Sequence, residues 1–106
     1  MITDEMAEKA LDFIRDKAGA YAEAKAQTRQ LDHYRKIKRS EMFLKAAGTV
    51  AEREAKAETS EEYKAIVDGL AASEEVENKL KWQLTGAQEK LRVYQTMSAN
   101  YRKATS

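Results

Sequence analysis

Between Ser60 and Lys103 the apolar positions recur in sevens. One line holds Tyr63, Leu70, Glu77, Leu84, Leu91 and Ser98, and the line beside it holds Ile66, Ser73, Leu80, Ala87, Tyr94 and Tyr101. Alternating steps of three and four keep both lines on one flank of an α-helix, and an isolated helix cannot bury such a flank. The pattern predicts a long helix over about 60–103 packed against another helix.

The first half of the chain supplies that partner. Thr3 is placed to cap a helix start, with Asp4 and Glu5 in the positive first turn. Leu11, Ile14, Ala18 and Tyr21 then step by three and four, and Thr28, Leu31 and Tyr34 carry the stripe to Ile37, Glu41 and Leu44. The stripe thins between Arg15 and Gln30, where Gly19 sits among alanines and the helix is expected to bend. Gly48 occupies the left-handed position that ends a helix, so the first helix is expected over about 4–47. Thr49 with Glu52, and Thr59 with Glu62, have capping-box spacing. A short helix therefore fits within about 49–58, although the same residues could extend the next helix. The fold expected is all-α: residues 1–106 as a single helical domain, a long antiparallel two-helix hairpin of coiled-coil type.

Charge selects the antiparallel arrangement. With the connection centred near residue 53, Arg29, Arg35, Lys36, Lys38 and Arg39 lie opposite Asp68, Glu74, Glu75 and Glu77. Asp4, Glu5, Glu8, Asp12 and Asp16 lie opposite Lys90, Arg92, Arg102 and Lys103. A parallel pair would set acid beside acid. Val67, Val76, Trp82, Val93 and Met97 fall off the seam, as do Phe13, Met42 and Phe43. Covering them calls for self-association into a helical bundle, with a dimer the simplest closed form.

Composition narrows the chemistry. Charged residues make up 35% of the chain, yet 19 lysines and arginines nearly cancel 18 aspartates and glutamates, leaving +1. A general nucleic-acid binder is usually more basic, and a DNA mimic is strongly acidic. Without cysteine there is no disulfide framework and no thiolate metal site. Met1 to Glu5 lacks the basic region and apolar run of a signal peptide, and charges interrupt every apolar stretch, so a cytoplasmic protein without membrane contact is expected.

The run Tyr34, Arg35, Lys36, Ile37, Lys38, Arg39 is the sharpest local feature. It reads as a contact surface for nucleic acid or for a partner, in which the cations meet phosphates and Tyr34 stacks on a base. It reads equally as one side of the salt-bridge pattern above, and the acids opposite favour that second reading. His33 stands alone without the carboxylate spacing of a metal site, and Glu74, Glu75 and Glu77 form a charged face without a matching cluster on the first helix. Trp82, with Val76, Val93 and Met97, is the candidate protein interface, either with another protein or with a second copy. No catalytic, cofactor-binding or metal residues are assigned, no cofactor or small-molecule substrate is expected, and no enzymatic activity is expected.

The order Tyr34-Arg35-Lys36, Ala51-Glu52-Arg53-Glu54-Ala55, Tyr63, Gly69-Leu70, Leu80-Lys81-Trp82, Ala87-Gln88 and Ala99-Asn100 resembles small uncharacterised helical proteins encoded by tailed bacteriophages and prophages. Those relatives often carry a tryptophan where this chain has Tyr94. The resemblance covers about residues 34–102. It implies a setting beside recombination and replication genes, including single-strand annealing proteins and exonucleases, and it transfers no catalytic residue. The expected function is a non-enzymatic phage accessory protein that scaffolds or modulates a recombination or replication assembly, with a phage or host protein as partner. Direct binding of single-stranded or duplex DNA through the basic run is the alternative, and inhibition of a host defence protein is a further one.

Overall fold

The computed structural model describes residues 1–105. They are 91% helical with no strand. Helix α1 spans Asp4–Lys45, α2 spans Val50–Glu58 and α3 spans Glu61–Thr105. The separate short helix α2 resolves the alternative that the sequence left open.

Local chemistry accounts for each boundary. The Met6 amide donates to Thr3 Oγ1 at 3.2 Å, which caps the start of α1. At its end Gly48 takes φ of 121°, and it is the one described residue with positive φ. Thr49 then caps α2 by accepting from the Glu52 amide at 3.2 Å. The second capping box is corrected by the structure. Thr59 closes α2, its hydroxyl donating to the Ala55 carbonyl at 2.8 Å, and it is Ser60 that accepts from the Tyr63 amide to begin α3. Ser60 wins because it is the last non-helical residue before α3, which places Tyr63, not Glu62, three residues beyond the cap.

Helix α2 also finishes α1. Arg53 donates to the Phe43 carbonyl at 3.2 Å with its guanidinium 4.2 Å from the Phe43 ring centroid, and Lys56 donates to the Ala47 carbonyl at 2.6 Å. The last carbonyls of a helix lack intrahelical partners and carry partial negative charge, so two cations satisfy both needs at once. Ala57, at 1% exposure, is the most deeply buried of the core residues, and a larger side chain would hold α2 away from its neighbours.

The tertiary contacts fall into two units, Met1–Ala22 with Asn78–Ser106, and Glu23–Glu77. In the first, α1 and α3 run antiparallel: Tyr94 donates to the Asp4 carboxylate, Ile14 and Tyr21 share a hollow with Leu84 and Gln88, and Ala10 shares a groove with Ala87. Ala7, Ala10, Leu84 and Ala87 are its buried residues. In the second unit the pairing is again antiparallel. Thr28 and Ser73 share a hydrogen bond of 2.8 Å, and Arg35 donates to Tyr63 Oη at 3.2 Å. Its core residues are Ala24, Leu70 and the α2 residue Ala57.

The seam expected on α3 is the one turned from solvent: every position from Tyr63 to Ser98 on the two lines is buried or half-buried, and Tyr101 alone is exposed. The α1 stripe needs correction. Its inward positions are Ala7, Ala10, Ile14, Tyr21, Ala24, Thr28, Leu31, Arg35, Lys38 and Met42, while Leu11, Tyr34, Ile37 and Leu44 face solvent. The reason is steric. Where large residues of α3 fill the space between the helices, α1 meets them with small side chains or with long flexible stems whose charged heads reach the rim, and Ile14, Tyr21, Leu31 and Met42 fill the remainder.

Two glycines separate the backbone requirements from the packing ones. Gly48→Ala forces a Cβ into the left-handed region and against the Glu52 side chain, and it is expected to lower stability by roughly 1 kcal/mol or more. At Gly19 a Cβ meets nothing within 4 Å, so Gly19→Ala raises stability by up to about 1 kcal/mol. Urea titration followed by circular dichroism measures both signs.

Candidate functional site

The basic run does not form one face. Helical spacing sends Arg35 and Lys38 inward with side chains 27% and 21% exposed, while Tyr34 and Lys36 stay outside. Arg35 donates to Asp32 at 3.0 Å as well as to Tyr63, and these bonds hold its guanidinium above its ordinary pKa, Tyr63 contributing most. Lys38 meets Glu41 at 2.9 Å and lies 5.8 Å from the Tyr34 ring centroid. Arg39 is bound to Glu58 of α2 at 2.8 Å, and Lys36 is 3.7 Å from Asp32.

This corrects the charge expectation. The cations of the run pair with Asp32, Glu41 and Glu58, not with Asp68, Glu74, Glu75 and Glu77 across the seam. Only Arg39 reaches another helix among these, since at the other end too Arg15 pairs with Asp12 and Arg92 with Glu89 within one helix. Partners three or four residues apart are already adjacent on a helix surface and give up little further freedom to meet, so local pairs prevail. Such exposed pairs contribute little each.

The candidate protein interface divides. Val76 belongs to the second unit, exposed beside a shallow hollow that includes Ala24, Gly69 and Ser73. Val93 is exposed in the first unit, and half-buried Met97 lies with Ile2 and Tyr94. Trp82 is 69% exposed and stands at a groove of about 420 Å3. Helix α1 contributes Met6, Lys9, Ala10 and Phe13 to that groove, and α3 contributes Gly86, Ala87 and Lys90. Met6 and Phe13 are seven residues apart, hence on one face of α1, and Trp82, Gly86 and Lys90 step by four along α3. Those spacings were legible in the sequence, but the α1 residues could be joined to Trp82 only once the register was known. Lys81 Nζ lies 5.9 Å from the Trp82 ring centroid, a weak cation–π contact on an exposed ring.

Other candidates resolve more simply. His33 and Glu74 and Glu75 are exposed, and Glu77 is half-buried on the seam. Among the described residues no three histidine or carboxylate side chains gather as a metal-ligand set, and no helix is long and apolar enough to cross a membrane. In comparison with known proteins, no family model matches the chain, and neither does any curated protein or solved structure.

The arrangement around residue 35 predicts an acid response. The hydrogen bond from Arg35 holds the Asp32 carboxyl below its ordinary 3.8, and that from Lys38 holds Glu41 below its ordinary 4.5. A depressed folded-state pKa gives a contribution that is complete above the unfolded value and lost as the pH falls through the folded one. The urea midpoint is expected to drop below about pH 4.5, and Asp32→Asn with Glu41→Gln to make that drop shallower. Both groups are exposed, so a modest change of slope is the readout.

Proposed function

We propose that this chain is a non-enzymatic accessory protein of a phage or prophage, a helical scaffold that organises or modulates a DNA recombination or replication assembly through protein contacts on its helix faces. The observation that carries the docking role is Trp82, an indole left 69% exposed at the edge of an apolar groove. Tryptophan is enriched among residues that dominate binding energy, and a large apolar ring beside a concavity is the geometry such contacts use. The phage setting, and with it a location in the bacterial cytoplasm, rests on the resemblance carried by residues 34–102.

In the finer form of this reading the two long helices form a coiled-coil hairpin that pairs with a second copy. The exposed Leu44, Val67, Val76 and Val93 support it, since isolated helix pairs leave such residues in water and a bundle covers them. Direct DNA binding is the weaker alternative. To reach phosphates, Arg35, Lys38 and Arg39 must release Tyr63, Asp32, Glu41 and Glu58, and that exchange offsets much of the gain. Inhibition of a host defence protein would use the same docking surface with a different partner.

The test combines two titrations. Immobilised chain is exposed to a purified phage single-strand annealing protein and to an exonuclease, with Trp82→Ala alongside, and labelled DNA is followed by anisotropy through a salt series. Micromolar protein binding that weakens about thirtyfold in Trp82→Ala is the expected result. Submicromolar DNA binding that falls steeply with salt, and is lost when Arg35, Lys38 and Arg39 become alanine, would overturn it.

A further inference from the structure

The groove beside Trp82 has a chemistry that selects among protein partners. Its floor is Met6, Ala10, Phe13 and Ala87, and the charged residues among those lining it are Lys9 and Lys90, with no carboxylate. Lys9 is shared with Glu5 at 3.3 Å, whereas Lys90, among the described residues, has no carboxylate partner. Along α3 the sequence Trp82, Gly86, Lys90 places an aromatic wall, a notch and a cation one helical turn apart. A Cβ built at Gly86 meets nothing within 4 Å, so the notch is open to an incoming side chain.

We infer that this groove docks an acidic amphipathic helix of a partner protein. The inference rests on the reading of the chain as a protein-docking scaffold and adds the charge and shape of what docks. An apolar side chain of the partner enters the notch at Gly86 against Trp82 and Phe13, and carboxylates about one turn to either side meet Lys90 and Lys9. This is a helix-in-groove mode, in which apolar anchors supply affinity and flanking charges supply orientation and selectivity. A second copy is the poorer occupant, because a two-fold contact of the groove with itself sets Lys9 and Lys90 against the same lysines. Single-stranded nucleic acid could stack on Trp82, but a backbone needs a track of cations, and two lysines beside aliphatic and phenyl surface do not make one.

Trp82 is the chain's single tryptophan, so its own emission reports the groove. The probes are tryptophan-free helix-forming peptides of about 15 residues with leucines one turn apart, flanked by glutamate, by glutamine or by lysine. The glutamate peptide is expected to give a saturable blue shift that weakens with salt. The lysine peptide is expected to bind at least about tenfold less tightly. Lys9→Glu with Lys90→Glu reverses that preference. Gly86→Leu fills the notch: it raises the thermal midpoint, because leucine favours helix over glycine, and abolishes the shift. Loss of binding together with a gain in stability excludes a folding defect. Equal binding of all three peptides overturns the charge assignment and leaves the docking reading standing. Silence with every peptide and with the proteins named above, beside a shift on adding a single-stranded oligonucleotide, overturns both. A blue shift on raising the concentration of the chain alone, with a matching rise in mass, assigns the groove to a second copy and also overturns the inference.

Discussion

Pairing of α1 with α3 within each of the two units is the constraint on which everything else rests. Both helices carry their inward residues in alternating steps of three and four, so each stripe can stay against its partner as the chain lengthens. The stripes are unequal. Most of the large side chains, Tyr63, Leu70, Leu80, Leu84, Leu91 and Tyr94, come from α3, whereas α1 sets Ala7, Ala10, Ala24 and Thr28 among Ile14, Tyr21, Leu31 and Met42. Small residues on one helix let the large ones of the other fill the gap at interior packing density. The alanines are poor determinants of register, because neighbouring alanines are interchangeable. Polar pairs that satisfy each other at one alignment specify it further: Thr28 with Ser73, Arg35 with Tyr63 and, in the other unit, Asp4 with Tyr94. A displaced alignment separates these half-buried and exposed partners from one another. Among the described residues no buried side-chain nitrogen or oxygen lacks a partner.

The connection turns this pairing into a defined topology. Gly48 permits the reversal after α1, Thr49 opens α2, and Arg53 and Lys56 return to the carbonyls of Phe43 and Ala47. Helix α2 is a short helix that would be marginal alone. Its cations and the buried Ala57 tie it to the end of α1, so the segment acts as a built corner. The resemblance motif Ala51-Glu52-Arg53-Glu54-Ala55 falls within this corner, which gives Arg53 a structural role.

How much of this was legible depended on which helix carried the signal. On α3 the seam was plain, because large residues repeat every seven positions and few compete off the stripe. On α1 the same rule misled. Tyr34, Ile37 and Leu44 are large, carry apolar surface and stand three and seven residues apart, so they drew the stripe toward themselves, while Arg35 and Lys38 looked like surface. Hydropathy treats a lysine or arginine as one polar object, but a long stem can pack at a seam while its head reaches Tyr63 or Glu41. Block charge indicated the antiparallel direction, since net repulsion acts over a Debye length. It did not indicate the individual pairs, which form locally wherever a partner lies three or four residues away.

The same asymmetry explains why Trp82 could be singled out from the sequence and its groove could not. A tryptophan off the stripe is visible in any heptad count, but Met6 and Phe13 become its neighbours only in the register that pairs Asp4 with Tyr94 and brings Ala10 beside Ala87. Gly86 supplies the sharper argument. A glycine inside a helix costs about 1 kcal/mol relative to alanine, and no contact within the chain requires its small size. Gly19 and Gly69 share that property, so glycine alone signals nothing. At Gly86 it coincides with an indole one turn away that is left mostly in water, and with a lysine, on the other side, that has no carboxylate partner among the described residues. The inferred partner helix answers the three together: a side chain for the notch, apolar surface for the indole and a carboxylate for the lysine.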